Sequence, residues 1–149
     1  MSDWLYPLSS KVNKATGMPN YHFELADGTS TPDTSPASLA SLVKDSAGQE
    51  RWVVYSNRVN DKVQPGDRVW FYYGHADGDL GVVAVGTVTE LDPDEGVSFT
   101  WKKTATKKLM AGPVPARVVR QYVTHPRTAL WALDKHPRLV SRLKKAAGL

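Results

Sequence analysis

Histidine, aspartate and serine are the residue types that most often carry catalysis, and the chain contains all three. Its four histidines are His22, His75, His125 and His136. None belongs to an HExxH motif, and none is paired with acids at metal-ligand intervals. Asp77 and Asp79 lie close together, but two acids beside Gly74 and Gly78 are typical of a hairpin loop. No serine lies in a GxSxG elbow. We therefore expect no catalytic residues and no metal site.

Glycine-rich phosphate loops are also missing from the sequence. There is no GxxxxGK motif, and the glycines at 81 and 86 enclose an apolar segment that does not lead into a helix. A dinucleotide site requires a glycine turn between a strand and a helix. We therefore expect no bound cofactor.

Aromatic side chains are the stronger chemical signal. The chain has five tryptophans and six tyrosines. Several of them lie in the first half, among them Trp4, Tyr6, Trp52, Tyr55, Trp70, Tyr72 and Tyr73. Aromatic faces hold unpaired bases, each stacked base contributing about 1 to 3 kcal/mol. In the segment 69–73, alternation places Trp70 and Tyr72 on one side and Phe71 and Tyr73 on the other, so one pair must be core. The other pair is a candidate for binding, with core packing as the alternative for each of these aromatics.

Charge is distributed unevenly along the chain. Residues 101–149 hold twelve of the 19 lysines and arginines and a single acid, Asp134, for a net charge of +11. Residues 1–100 hold seven basic and fourteen acidic residues, for a net charge of −7. A basic third joined to an acidic remainder is typical of a protein with one face directed at a polyanion.

Length and composition favour one ordinary globular unit. A chain of 149 residues with 41% hydrophobic residues can bury a single core, so we expect one domain over residues 1–149. The sequence contains no cysteine, which excludes disulfides and thiolate metal sites. It lacks a signal segment and an apolar run long enough to span a bilayer. We expect a cytoplasmic protein that has no membrane partner.

The pattern of alternation and turns predicts strands over 3–8, 20–25, 51–56, 68–73, 82–91, 97–103 and 114–123. Ser35 and Pro36 predict the start of a helix that ends near Gly48, and Pro126 and Pro137 predict two terminal helices. Strands separated by turns, with few helices, favour an α+β fold in which a mixed sheet curls into a small barrel with flanking helices.

Three segments together resemble a known family. They are WLYPLS at 4–9, YSNR at 55–58 and VQPGDRVWFYY at 63–73, and the strand GVVAVGTV follows at 81–88. These segments look like the EVE domain of the PUA-like superfamily, which is related to YTH and ASCH domains. The resemblance spans most of residues 3–91 and implies a PUA-like barrel.

The resemblance implies a pocket for a modified base, such as methylated or hydroxymethylated cytosine in DNA or a modified base in RNA. Trp4 or Tyr6 would line it, and Trp52 or Tyr72 would stack on the base. The groups that would read the base edge are Ser9, Ser56 and Asn57. Arg58 would contact the flanking phosphate.

A second group of residues is suited to the nucleic-acid backbone. Four lysines flank Trp101 in a predicted strand and loop, namely Lys102, Lys103, Lys107 and Lys108. The lysines would contact phosphates while Trp101 wedges or stacks; alternatively, Trp101 folds inward beneath an exposed basic hairpin.

Three functions follow from these observations. The leading hypothesis is a non-enzymatic reader of a modified nucleotide, acting alone or recruiting a nuclease or restriction partner. A second is an ASCH-like enzyme acting on RNA or nucleosides through His22 or His75 with a nearby acid or lysine. The third is a protein-interaction module in which the basic third binds an acidic partner.

Overall fold

The structure is a computed structural model that describes residues 1–8, 23–25, 35–45, 50–52, 62–92, 96–124 and 130–149. The strands within these residues are β1 (Asp3–Leu8), β2 (Phe23–Leu25), β3 (Glu50–Trp52), β4 (Arg68–Tyr73), β5 (Gly81–Asp92), β6 (Gly96–Trp101) and β7 (Trp131–Ala132). The helices are α1 (Pro36–Asp45), α2 (Lys103–Ala111), α3 (Ala116–Val119) and α4 (Pro137–Ala147), with a 3-10 turn at His75–Asp77. The predicted helix at Pro126 lies outside the described residues.

All seven strands form one mixed sheet, in the order β2-β3-β6-β5-β4-β1-β7. β1 and β4 run parallel and pair from Asp3 with Arg68 to Leu8 with Tyr73. Every other pairing in the sheet is antiparallel. Among the described strands, the parallel pair therefore lies near one end of the sheet, and only β7 lies beyond it.

The predicted barrel is wrong, because the sheet is open. A barrel requires the first and last strands of the sheet to pair with each other. Among the described residues, β2 pairs with β3 and β7 pairs with β1, and the two outer strands do not meet. Alternation in a sequence specifies strands and their faces but not whether the edges of the sheet join. The mixed α+β composition of the prediction matches the structure.

Both faces of the sheet are covered by apolar side chains. The first core cluster includes Trp4, Tyr6, Phe71, Tyr73, Phe99 and Trp101, with Leu39 and Val43 of α1. The second core cluster includes Leu5, Trp70, Tyr72 and Val85, with Leu109 of α2 and Leu139 and Leu143 of α4. The alternating aromatics of β4 are therefore buried on both sides, and neither pair is available as the sequence suggested.

Several sequence predictions are confirmed. β4 and β5 form the predicted antiparallel hairpin, with Arg68 opposite Thr87 and Tyr73 opposite Gly81. Helix α1 begins at Pro36, and the Ser35 hydroxyl accepts a hydrogen bond from the Ser38 amide at 3.4 Å. Helix α4 begins at Pro137 and buries Leu139 and Leu143.

Two predicted strands differ from the structure. The strand over 97–103 ends at Trp101, and Lys103 begins α2, because Ala105 and Leu109 are spaced to face the core from a helix. Residues 114–123 do not form a strand. Val114 makes a single bridge to Val82, and Pro115 then leads into α3, where Val118 and Val119 are buried. Burial of these valines overrides their preference for strands.

Candidate functional site

The aromatic residues predicted to form a base pocket lie in the core. Trp4 and Tyr6 lie side by side on the face of the first core cluster and are at most 3% exposed. Tyr72 lies on the opposite face, in the second core cluster. The structure therefore brings Trp4 and Tyr6 together and separates both from Tyr72.

The other predicted pocket residues have side chains outside the described part of the structure. Trp52 is the last residue of β3, where only its backbone pairing with Phe23 and Val97 is described. Ser9, Ser56, Asn57 and the phosphate-binding candidate Arg58 lie outside the described residues. The modified-base pocket stays a prediction.

Two buried carboxylates tie β1 to β4 beneath these aromatics. Asp67 accepts hydrogen bonds from the Trp4 indole at 3.0 Å and from the Ser2 and Gln64 amides at 2.9 Å. Asp3 accepts from the Trp70 indole at 2.8 Å and from two nitrogens of Arg68, at 2.7 and 3.0 Å. The hydrogen bond that Arg68 donates to Asp3 raises the pKa of Arg68. Asp67, which lies in the segment 63–73 that carries the resemblance, therefore has a structural role.

Tyr72 belongs to a polar cluster at the end of the β4–β5 hairpin. One nitrogen of Arg120, Nη1, donates to the Tyr72 hydroxyl at 3.2 Å and to Asp79 Oδ1 at 2.8 Å. Burial raises the pKa of Tyr72, so its hydroxyl stays protonated at neutral pH. The hydrogen bond from Arg120 lowers the pKa of Asp79. This arrangement fixes Arg120 in place and provides no activated base or nucleophile.

The predicted phosphate-binding lysines lie on or next to α2. Lys103, Lys107 and Lys108 are exposed on the helix, and Lys102 is half-buried just before it. They do not flank Trp101 in a strand and loop, as the sequence suggested, because the helix begins directly after β6. On its inner side, α2 is fixed by the Thr106 hydroxyl, which bonds both the amide and the carbonyl of Val85.

Helix α4 presents a second row of cations. Three exposed cations follow one another along α4 at intervals of about one helical turn, on the side away from the buried Leu139 and Leu143. They are Arg138, Arg142 and Lys145. These residues were not among the phosphate-binding candidates predicted from the sequence. Their signal was available, because an amphipathic helix with basic residues on its outer face can contact a polyanion.

Helices α2 and α4 pack against each other. The Lys108 side chain lies over the end of α4, so that a Cβ on Gly148 would lie 2.5 Å from its Nζ. A cation at a helix carboxyl end is favoured by the helix dipole. We call the exposed cations of the two helices the basic face; they are Lys103, Lys107, Lys108, Arg138, Arg142 and Lys145.

Two tryptophans of the basic third have different environments. Trp101 is 8% exposed and packs against Phe71 and Phe99, with ring centroids 5.0 and 4.7 Å away. The inward alternative for Trp101 therefore describes the structure. Trp131, which was not among the residues predicted to bind, is 37% exposed on β7. Its position in a short apolar run within a basic segment was the available signal.

A groove of about 570 Å³ lies between the start of β1, the β7–α4 connection and α4. Asp3, Leu133 and Asp134 line it on the sheet side. Ser141, Lys144 and Lys145 line it on the side of α4. The groove therefore carries ammonium and hydroxyl donors on one wall and carboxylates on the other.

The described part of the chain shows no cluster of three or more histidines and acids that could hold a metal ion. Its helices are all too short or too polar to cross a membrane. Comparison with known proteins finds no matching family model, no similar curated protein and no similar solved structure. The resemblance to the EVE domain therefore rests on the quoted residues alone.

Proposed function

We propose that this chain is a nucleic-acid-binding domain whose basic face contacts the phosphate backbone. The observation that carries the proposal is the pair of packed helices, α2 and α4. Neither helix contains an acid, and together they expose six lysines and arginines. Lysine and arginine contacts to phosphates displace condensed counterions and supply most of the affinity of non-specific nucleic-acid binding.

The finer proposal is that the domain reads a modified base, as the resemblance to the EVE domain implies. Its pocket would lie near β1 and the segment 56–58. Ser9, Ser56 and Asn57 would read the base edge. A nuclease would be one type of partner protein. This proposal is supported by the quoted residues and by the charge of the chain, and it is separable from backbone binding by experiment.

The experiment is a fluorescence-anisotropy titration of labelled oligonucleotides with the wild-type protein and with the double variant Arg138→Glu/Arg142→Glu. These exposed side chains lie one turn apart on α4, so their reversal should leave the core intact. Losing two phosphate contacts and adding two repulsive charges should weaken binding by about tenfold or more. Lys62→Glu changes an exposed lysine in the turn before β4 and is the matched control.

Three results would count against backbone binding by this face. They are absence of nucleic-acid binding by the wild-type protein, equal loss in the double variant and the control, and equal affinity for polyglutamate and for an oligonucleotide. The last would favour an acidic protein partner. For the finer proposal, oligonucleotides with cytosine, methylcytosine or hydroxymethylcytosine should differ in affinity; equal binding across a panel of modified bases would contradict it.

A further inference from the structure

Trp131 stands apart from the other aromatic residues of the chain. Among the tryptophan, tyrosine and phenylalanine side chains that the structure describes, it is the one that is exposed, at 37%; the others are buried or half-buried. It lies on β7, the outermost strand next to β1. A single exposed apolar side chain needs no explanation by itself. Its surroundings therefore decide what it does.

The pairing of β7 shows which face Trp131 occupies. Trp131 lies opposite Leu5 of β1. Residues directly opposite each other in adjacent strands point to the same face of a sheet. Leu5 belongs to the second core cluster, which also contains Leu109 of α2 and Leu139 of α4. Trp131 therefore projects on the side of the sheet that carries the two basic helices.

The groove beside α4 begins two residues after Trp131, at Leu133. The Leu133 amide donates to the Asp3 carbonyl at 2.9 Å, which continues the pairing of β7 with β1, and both residues line the groove. Two residues of extended chain span about 7 Å. The backbone of Trp131 thus lies about 7 Å from that of Leu133, a residue that lines the groove. On the opposite wall, Lys144 and Lys145 provide cations, and Lys145 also belongs to the basic face.

We infer that the surface formed by Trp131 and this groove binds an unpaired nucleotide of a single strand. A base stacks on the indole, and phosphates of the same strand contact Lys144 and Lys145. An indole can stack only on a base with an accessible face, and the bases inside a duplex are covered on both faces by their neighbours. This inference rests on the proposed function and specifies its ligand class as single-stranded nucleic acid.

The test compares Trp131→Ala and Trp131→Phe with the wild-type protein on three probes of equal length. The probes are a single-stranded oligonucleotide, a blunt duplex and an oligonucleotide in which every base is replaced by an abasic site. Trp131→Ala should weaken single-strand binding by about 5- to 150-fold, the loss of one stacked base, and should leave binding to the other two probes unchanged. Trp131→Phe should retain most of the affinity, because its ring still stacks.

The salt dependence separates stacking from charge. Trp131→Ala should leave the slope of log affinity against log salt unchanged, whereas Lys145→Ala should reduce it by about 0.7. If Trp131→Ala binds the single strand as tightly as wild type while Arg138→Glu/Arg142→Glu binds it weakly, the inference is wrong and the proposed function stands. An equal loss on all three probes would also overturn the inference. If the wild-type protein binds none of the probes, the proposed function is wrong.

Discussion

At the scale of single residues, the two buried aspartates explain how the parallel strands are held. β1 and β4 meet at Asp3 and Arg68, and each strand supplies an indole to a carboxylate at the start of the other. A buried carboxylate is costly unless its oxygens are bonded. Asp67 meets this requirement with three donors and Asp3 with three, so the polar groups fix the register of the two strands.

Substitution of Asp67 tests this interpretation. Asp67→Ala leaves the Trp4 indole and two backbone amides without their acceptor, and should lower the free energy of unfolding by about 2 to 4 kcal/mol. Asp67→Asn keeps one oxygen and should cost less. The control is Asp134→Ala, which removes an exposed acid and should change the free energy of unfolding by less than about 0.5 kcal/mol. Urea denaturation followed by circular dichroism measures all three; equal stability of Asp67→Ala and Asp134→Ala would contradict the role assigned to Asp67.

At the scale of elements, the segment after α2 is held against the start of β5. The Val82 amide donates to the Val114 carbonyl at 2.9 Å, and the reciprocal bond is 3.2 Å long. Gly81 has a φ of +94° and permits this approach, since a Cβ there would lie 1.9 Å from the Val114 carbonyl oxygen. The close contact then positions α3 and Arg120, which reaches back to Tyr72 and Asp79.

Two alanine substitutions separate backbone strain from this close approach. Gly78 also has a positive φ, of +68°, but open space around its missing Cβ. Gly78→Ala should therefore cost only the strain of the left-handed conformation, about 1 to 2 kcal/mol of unfolding free energy. Gly81→Ala adds a clash with backbone and should cost at least about 1 to 3 kcal/mol more. Thermal unfolding of both variants measures the difference, and equal destabilisation would show that the Val82–Val114 contact is not tight.

The elements also show what the sequence could predict. The β4–β5 hairpin and α4 were predictable, because their alternation, turn residues and helical spacing are local. α3 was not, since burial against the sheet overrode the strand preference of Val118 and Val119. The open sheet depends on pairing between distant strands. The basic face was predictable only in part, because the lysines of α2 were found by composition and assigned to the wrong type of element.

At the scale of the whole molecule, the basic third of the sequence supplies two helices that pack together in the fold. The basic third of the sequence contributes α2 and α4, which lie together over the second core cluster, and the acidic remainder contributes most of the sheet. Packing of the two helices thus converts a charge difference along the chain into a charged surface. Trp131 adds an aromatic group on the same side of the sheet. This combination of cations and one exposed ring is suited to a single strand.

The most direct test of the central claim is the salt dependence of binding by the wild-type protein. Its affinity for a labelled single-stranded oligonucleotide should fall linearly with salt on logarithmic axes, with a slope of about −3 to −5 if most of the basic face contacts phosphates. The same titration with Arg138→Glu/Arg142→Glu should give a shallower slope. Binding that does not change with salt, or the same slope in wild type and variant, would contradict a nucleic-acid-binding role for the basic face.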